Sequence, residues 1–220
     1  MRDQGGPSPV ADLAGSLGGD ATLELPEFDA PPADPIALVR EWIAGAFDRG
    51  VREPLAAALA TVSADGRPSN RVLLLKAVED DGIVFYGRYD SHKGRDLDAV
   101  PFASVALYWR ETIQQLRIDG RVERVSNAES DALFGSRLRA AQAAAAASSQ
   151  SRPLDSAEAL RARFDAAIAG DAPIPRPDGW GGYRLIPETI EFWHGNRDRL
   201  HRRLRYSRGG DAWAAERLQP

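Results

Sequence analysis

Ten residues near the end of the chain, RDRLHRRLRY from Arg197 to Tyr206, carry five arginines and a histidine in a protein of net charge −4. On a strand, Arg199, His201, Arg203 and Arg205 share one face, and Leu200, Arg202 and Leu204 share the other. Arg199, His201 and Arg203 then form a cationic row with one titratable member, suited to an anionic or electron-rich ligand. The same row is also what a solvated edge strand looks like, where charge discourages aggregation. A second candidate is SHKGR, where Ser91 caps a helix whose first-turn amides, with Lys93 beside them, suit a phosphate. A third is RVLLLK, in which Arg71 and Lys76 bracket an apolar strand, on opposite faces by parity unless a bulge intervenes. Lys76 and Lys93 are the only lysines among 28 basic residues. They are either accidents of an arginine-rich composition or places that want a compact ammonium. His92, His194 and His201 are too scattered for a zinc cluster, and no Ser/His/Asp arrangement is present, so no metal is expected.

These residues need elements to hold them. The chain has 220 residues, 43% of them hydrophobic, enough for one domain with a sizeable core. Residues 1–25 read as a flexible arm and 26–220 as the domain. Asp34 and Pro35 open a helix with Ile36, Val39, Ile43 and Phe47 at helical spacing, and Gly50 ends it. LAAALATVSADGRPSNRVLLLKAVEDDGIVFYGRY reads as three strands, FASVALYWRE and IQQLRIDGRVERV as two more. SNAESDALFGSRLRAAQAAAAA is helical from Ser126 or Asn127, and SAEALRARFDAAIAG adds a short helix. GWGGYRLIP, TIEFWHG, RLHRRLRYSR and DAWAAERLQ complete about nine strands joined by short turns. That pattern predicts a mainly β (α+β) antiparallel barrel or sandwich with few helices, not an alternating βαβ chain. There is no 18-residue apolar run and no signal-peptide stretch, so no membrane is expected. The absence of cysteine suits a reducing cytoplasm and excludes thiolate chemistry. The acidic balance gives no general reason to bind nucleic acid.

Taken in order, RVLLLK, GIVFYGRYDSHKGRDL, PFASVALYW, QQLRIDGRVERV, SSQS, GWGGYRL, IEFW, RDRLHRRLRY and DAWAAERLQP resemble the pyridoxamine 5′-phosphate oxidases over roughly residues 35–220. The resemblance implies a split barrel that forms a homodimer with FMN between subunits. It places Arg71, Val72, Leu73, Leu74, Leu75 and Lys76 along the flavin and Tyr86 and Gly87 beside it. His92 and Lys93 would hold the FMN phosphate, and Gln115 would meet the rings. Gln150 and Ser151 would come from the partner, with Trp193 and Arg203 completing the pocket. Arg199 and His201 would face the substrate, Arg199 orienting it and His201 accepting a proton. Arg197, Arg202 and Arg205 are left as surface charges.

The departures from the family pattern bear on the substrate. Where the vitamin B6 enzymes hold a substrate phosphate with tyrosine, arginine and serine, this chain has Leu133, Arg137 and Ala141. Two lost hydrogen bonds to a charged group, roughly 1.5–3 kcal/mol each, reduce affinity about a hundredfold or more. Leu138 replaces a proline, Ala146 an aromatic residue, and Gly87 and His92 a threonine and an arginine. A flavin site with apolar walls in place of a phosphate clamp suits a flat, unphosphorylated substrate. LPEFDAPPADPIALVREWI and YWRETIQQLRI resemble the phenazine-biosynthesis branch of the family. That branch implies oxidation of dihydro- or tetrahydrophenazine carboxylic acids by way of the flavin, with O2 taken up and H2O2 released. Arg137, with Lys76, Arg199 and His201, would bind the small aromatic carboxylate. The alternative within the family is vitamin B6 oxidation; a non-catalytic flavin carrier is a further possibility.

Overall fold

The computed structural model describes residues 18–210 and 212–220. Asp211 and residues 1–17 of the expected arm lie outside the described residues, but 18–25 run against the barrel. The Asp20 N–H donates to the Glu111 carbonyl at 2.9 Å, and Leu25 is buried. The domain therefore begins earlier than residue 26.

Helix α1 (Pro35–Asp48) starts as the cap rules require: the Asp34 carboxylate accepts from the Ile36 and Ala37 amides, and Pro35 needs no partner. Its buried stripe is Ile36, Leu38, Val39, Trp42, Ile43 and Ala46, while Phe47 points outward and is 54% exposed. Among the described residues nine strands follow one another in a single sheet: β1 (Ala56–Val62), β2 (Pro68–Leu74), β3 (Ala77–Glu79), β4 (Gly82–Arg88), β5 (Phe102–Trp109), β6 (Gln114–Arg124), β7 (Trp180–His194), β8 (Arg202–Gly209) and β9 (Ala212–Arg217). All pairings are antiparallel, in the order β2-β1-β5-β6-β7-β4-β3, with β8 and β9 branching from β7. β2 and β3 end this path and are not paired to each other, so the curled sheet stays open: a split barrel. Its interior holds Leu59, Ile83, Phe85, Leu107, Leu116, Ile118 and Phe192.

The strand count matches the reading of the sequence for compensating reasons. The first three expected strands are four, because the chain turns at Leu75 and Lys76 between β2 and β3. GWGGYRLIP and TIEFWHG are one strand. Pro187 falls beside the bulge at Asp119 and Gly120, where β7 leaves β4 and joins β8, so its missing N–H costs no ladder bond. A side-chain carbon at Gly120 would lie 2.0 Å from the Ile186 carbonyl oxygen, which demands glycine there. The single long helix expected after Ser126 is two, α3 (Asn127–Gly135) and α4 (Arg139–Ala147). Ser126 and Glu129 form a capping box at α3, and the chain leaves the helix before Leu138. Arg137 therefore sits on a bend. Helix α5 (Ala157–Ile168) packs on α4. Among the described residues no helix is long and apolar enough to cross a membrane.

Candidate active site

The gap between β2 and β4 is a cleft of about 430 Å³, within the roughly 300–1,000 Å³ range of small-molecule sites. It gathers Arg71, Val72, Leu73, Leu74, Lys76, Tyr86, Gly87, Lys93, Arg137 and Gln150 from the sequence-based set. Arg71 and Lys76 reach it together because the chain turns after Leu74, the irregularity that parity required. Leu75 is the exception in that run: its side chain faces the core at 1% exposure and cannot line the cleft.

One end of the cleft lies at the start of α2 (His92–Ala99), where the Ser91 hydroxyl accepts from the Gly94 amide. The buried Lys93 ammonium donates to Ser91 Oγ at 3.1 Å and to Gln150 Oε1 at 2.7 Å. Burial, reinforced by the nearby Arg71 charge, pushes the Lys93 pKa down to about 8. Gly87 makes this placement possible: a side-chain carbon there would lie 2.4 Å from Lys93 Cε. Gln150 reaches the cleft from its own chain, which corrects its assignment to a partner subunit. Ser151 adopts a φ of 69° beside it and is exposed, outside the cleft wall. His92, at the first position of α2, is also exposed outside that wall, with Nε2 3.6 Å from Asp96.

The other end is aromatic. Tyr86 and Trp180 lie with ring centroids 4.9 Å apart. Lys76 Nζ sits 4.7 Å from the Tyr86 centroid, and the Arg137 guanidinium 4.9 Å from Tyr86 and 5.1 Å from Trp180. Arg137 Nε and Nη1 are buried without a hydrogen-bond partner. Phe134, Leu133 and Ala145 supply the apolar wall behind them. Sequence reasoning missed Arg88, Ala144, Ala145, Ser148 and Trp180 as lining residues. Arg88 shares the β4 face of Tyr86 by parity, a signal that was available.

Gln115, Trp193, Arg203, His201 and Arg199 do not line this cleft. Gln115 on β6, Trp193 on β7 and Arg203 on β8 are directly paired, forming one row across the sheet. The Trp180 end of β7 pairs with β4 and lines the cleft, whereas Trp193 lies near the other end of that strand, on the stretch paired with β8. The basic strand begins only at Arg202. Arg199 precedes it with a φ of 69° and Leu200 is exposed, so the alternation expected through Arg199 and His201 fails. The His201 ring instead leans on Trp193, with centroids 4.8 Å apart. The Asn196 N–H donates to His201 Nδ1 at 3.0 Å. A neutral His201 therefore carries its proton on Nε2 and presents a donor there, which corrects its expected role as proton acceptor in this arrangement. Arg202 is no free surface charge: it pairs with Asp29 at 2.9 Å and covers Phe28.

Residues 43–169 match the family model described as pyridoxamine 5′-phosphate oxidase. Residues 180–220 match the pyridoxine 5′-phosphate oxidase C-terminal dimerisation region. The chain belongs to the pyridoxamine 5′-phosphate oxidase family and is an oxidoreductase on that family's split barrel. Dihydrophenazinedicarboxylate synthase from Burkholderia lata is 44% identical over 205 residues, covering 93% of this chain and 97% of the relative. The pyridoxine/pyridoxamine 5′-phosphate oxidase of Gluconobacter oxydans is 46% identical over 199 residues, covering 90% and 99%. The crystal structure of PhzG from Burkholderia lata, in complex with tetrahydrophenazine-1-carboxylic acid, has a TM-score of 0.90 at 44% identity. It covers 92% of this chain and 100% of that one.

Proposed function

We propose that this protein is an FMN-dependent oxidase that aromatises a partly reduced phenazine carboxylic acid. The observation that carries the reading is Arg137: a guanidinium held against Tyr86 and Trp180 with two buried nitrogen atoms unpartnered, beside Leu133. Such a cation on an aromatic wall, with Lys76 over the same Tyr86 ring, suits a flat ring bearing a carboxylate, because it offers an anion site and a stacking surface. Leu133 and Ala141 give a phosphate no second or third ligand. The Burkholderia lata relatives support the same class of substrate.

The cleft also fits FMN. Lys93 and Arg71 form a donor set for a phosphate near the start of α2, with Lys93 occupying the space that the missing Gly87 side chain leaves. FMN, when bound, accepts a hydride equivalent from the substrate and returns the electrons to O2 as H2O2. The residues of this chain bind and orient: Lys93 and Arg71 hold the phosphate end, Arg137 and Lys76 the carboxylate end, and Tyr86 and Trp180 exclude water between them.

The unit of function in this reading is a homodimer. Val72 and Leu74 on β2 and Tyr108 on β5 are 71%, 46% and 50% exposed. Tyr108 pairs with Gln115, extending the row to Trp193 and Arg203 on the same outer face. A second copy laid on that face by a two-fold axis would cover the apolar side chains and bring its own row to the cleft. The match of residues 180–220 to a dimerisation region supports this.

A second reading, vitamin B6 oxidation, is favoured by relatives such as the Gluconobacter oxydans enzyme and by the retained Arg137. Anaerobic mixing of the FMN-loaded protein with a reduced phenazine carboxylate, and separately with pyridoxine phosphate, decides between them. Rapid bleaching of the flavin by the phenazine alone is expected. Rapid bleaching by pyridoxine phosphate overturns the proposal in favour of the B6 reaction.

A further inference from the structure

Thr61 and Asp96 lie beneath the phosphate end of the cleft, 1% and 4% exposed, and neither lines its wall. Thr61 is on β1 opposite Ser69 of β2, and Asp96 is on α2. The Thr61 hydroxyl donates to Asp96 Oδ2 at 2.6 Å, and its oxygen accepts from Arg71 Nη1 at 2.7 Å. A hydroxyl has one proton to give and a carboxylate can only accept, so the chain of bonds runs from Arg71 through Thr61 to Asp96. Arg71 is fixed on its other side as well: Nη1 also donates to the Leu59 carbonyl at 3.2 Å and Nη2 to Ser69 Oγ at 2.7 Å. Arg71 Nη2 lies 3.8 Å from Asp96 and His92 Nε2 lies 3.6 Å from it. One buried carboxylate thus ties together the elements that meet at this end of the cleft. Burial works against the Arg71 charge, and Asp96 opposes that loss.

We infer that Thr61 and Asp96 are positioning residues that act through Arg71 to make the cleft prefer a phosphorylated flavin over an unphosphorylated one. The inference rests on the FMN reading above. A buried network that served only stability would affect both flavins equally, so the test is a ratio. FMN and riboflavin share the ring system and ribityl chain and differ in the phosphate; binding of each is read from quenching of flavin fluorescence. Thr61→Val keeps the side-chain shape but removes the link between Arg71 and Asp96. It should lower the FMN/riboflavin affinity ratio about tenfold and leave riboflavin binding unchanged, as expected for one charge-assisted link. Thr61→Ser should restore the ratio. Asp96→Asn, which keeps an acceptor and removes the charge, should fall between wild type and Thr61→Val, and it carries the test if the valine variant does not fold. A wild-type ratio in either folded variant overturns the inference and leaves the FMN reading standing. Equal affinity of the wild-type protein for FMN and riboflavin would remove the FMN reading, and this inference with it.

Discussion

The cleft and the Gln115–Trp193–Arg203 row are both made of cations and aromatic rings, but they hold their charge differently. In the row the charge is already neutralised. The carboxylate of Glu191, 3% exposed, accepts from Arg203 Nε at 2.8 Å and from Arg117 Nη2 at 2.8 Å, and Glu216 accepts from Arg205. In the cleft, Lys93 bonds only neutral oxygen atoms and two Arg137 nitrogen atoms bond nothing. Unneutralised cations at a partly buried site raise the free energy of the empty protein and lower it again when an anion binds. The arginine-rich stretch that stands out in the sequence is thus mostly a brace between strands. The anion site is built around Lys93 and Arg137, which bond no carboxylate, beside an Arg71 that Asp96 holds.

The sharpest test of this contrast is to remove a cation from the cleft. Lys93→Ala should weaken FMN binding about a hundredfold, the loss expected for a charge-assisted bond to phosphate, as measured by flavin fluorescence. A change under threefold would mean the ammonium does not meet the phosphate. A complementation experiment then asks whether the two regions meet across subunits. Lys93→Ala and Trp193→Ala homodimers should each be nearly inactive. After subunit exchange, about half the dimers are mixed, each with one intact site if cleft and row come from different chains. Activity should then recover to about a quarter of wild type. No recovery would break the trans arrangement.

Much of the cleft was legible because local chemistry announced it. Asp34, Ser91 and Ser126 are caps whose neighbours are helix starts, and RVLLLK and SHKGR both border the cleft. The failures have a common cause: periodicity was carried through points where the backbone departs from it. The turn at Leu75 sends that side chain into the core, the bend at Ser136 to Leu138 ends a helix that propensity would continue, and the positive φ of Arg199 breaks a strand parity. Thr61 and Asp96 were invisible for another reason. A buried threonine and aspartate become a network only when β1, β2 and α2 are brought together.

Charge removal from each region should separate binding from stability. Arg137→Leu should raise the KM of a reduced phenazine carboxylate about 10–100-fold, with FMN affinity and unfolding midpoint near wild type, since no hydrogen bond within the protein involving those two nitrogens is lost. Arg203→Leu should instead lower stability. It strips one of two partners from the buried Glu191 carboxylate and should cost about 1–3 kcal/mol in urea unfolding. A stable Arg203→Leu protein would show that Arg117 alone satisfies Glu191, and that the row is less of a brace than its geometry implies.

The smallest effect is a pH dependence whose sign comes from Lys93. Its pKa is near 8 in the folded, ligand-free protein and near the ordinary 10.5 when unfolded. Below pH 8 both states are charged and the cost of the buried ammonium is felt in full. Between about 8 and 10.5 the unfolded state binds the proton and the folded state does not, so the stability of the ligand-free protein rises with pH. The gain should be on the order of 1–3 kcal/mol. FMN affinity should move the opposite way, falling above pH 8 as the ammonium is lost. Urea unfolding at pH 7.5 and pH 10 should show a larger rise for wild type than for Lys93→Met, the comparison cancelling titrations elsewhere. Equal slopes in the two proteins would mean that Lys93 keeps an ordinary pKa, and that the cleft holds its charge no differently from the row.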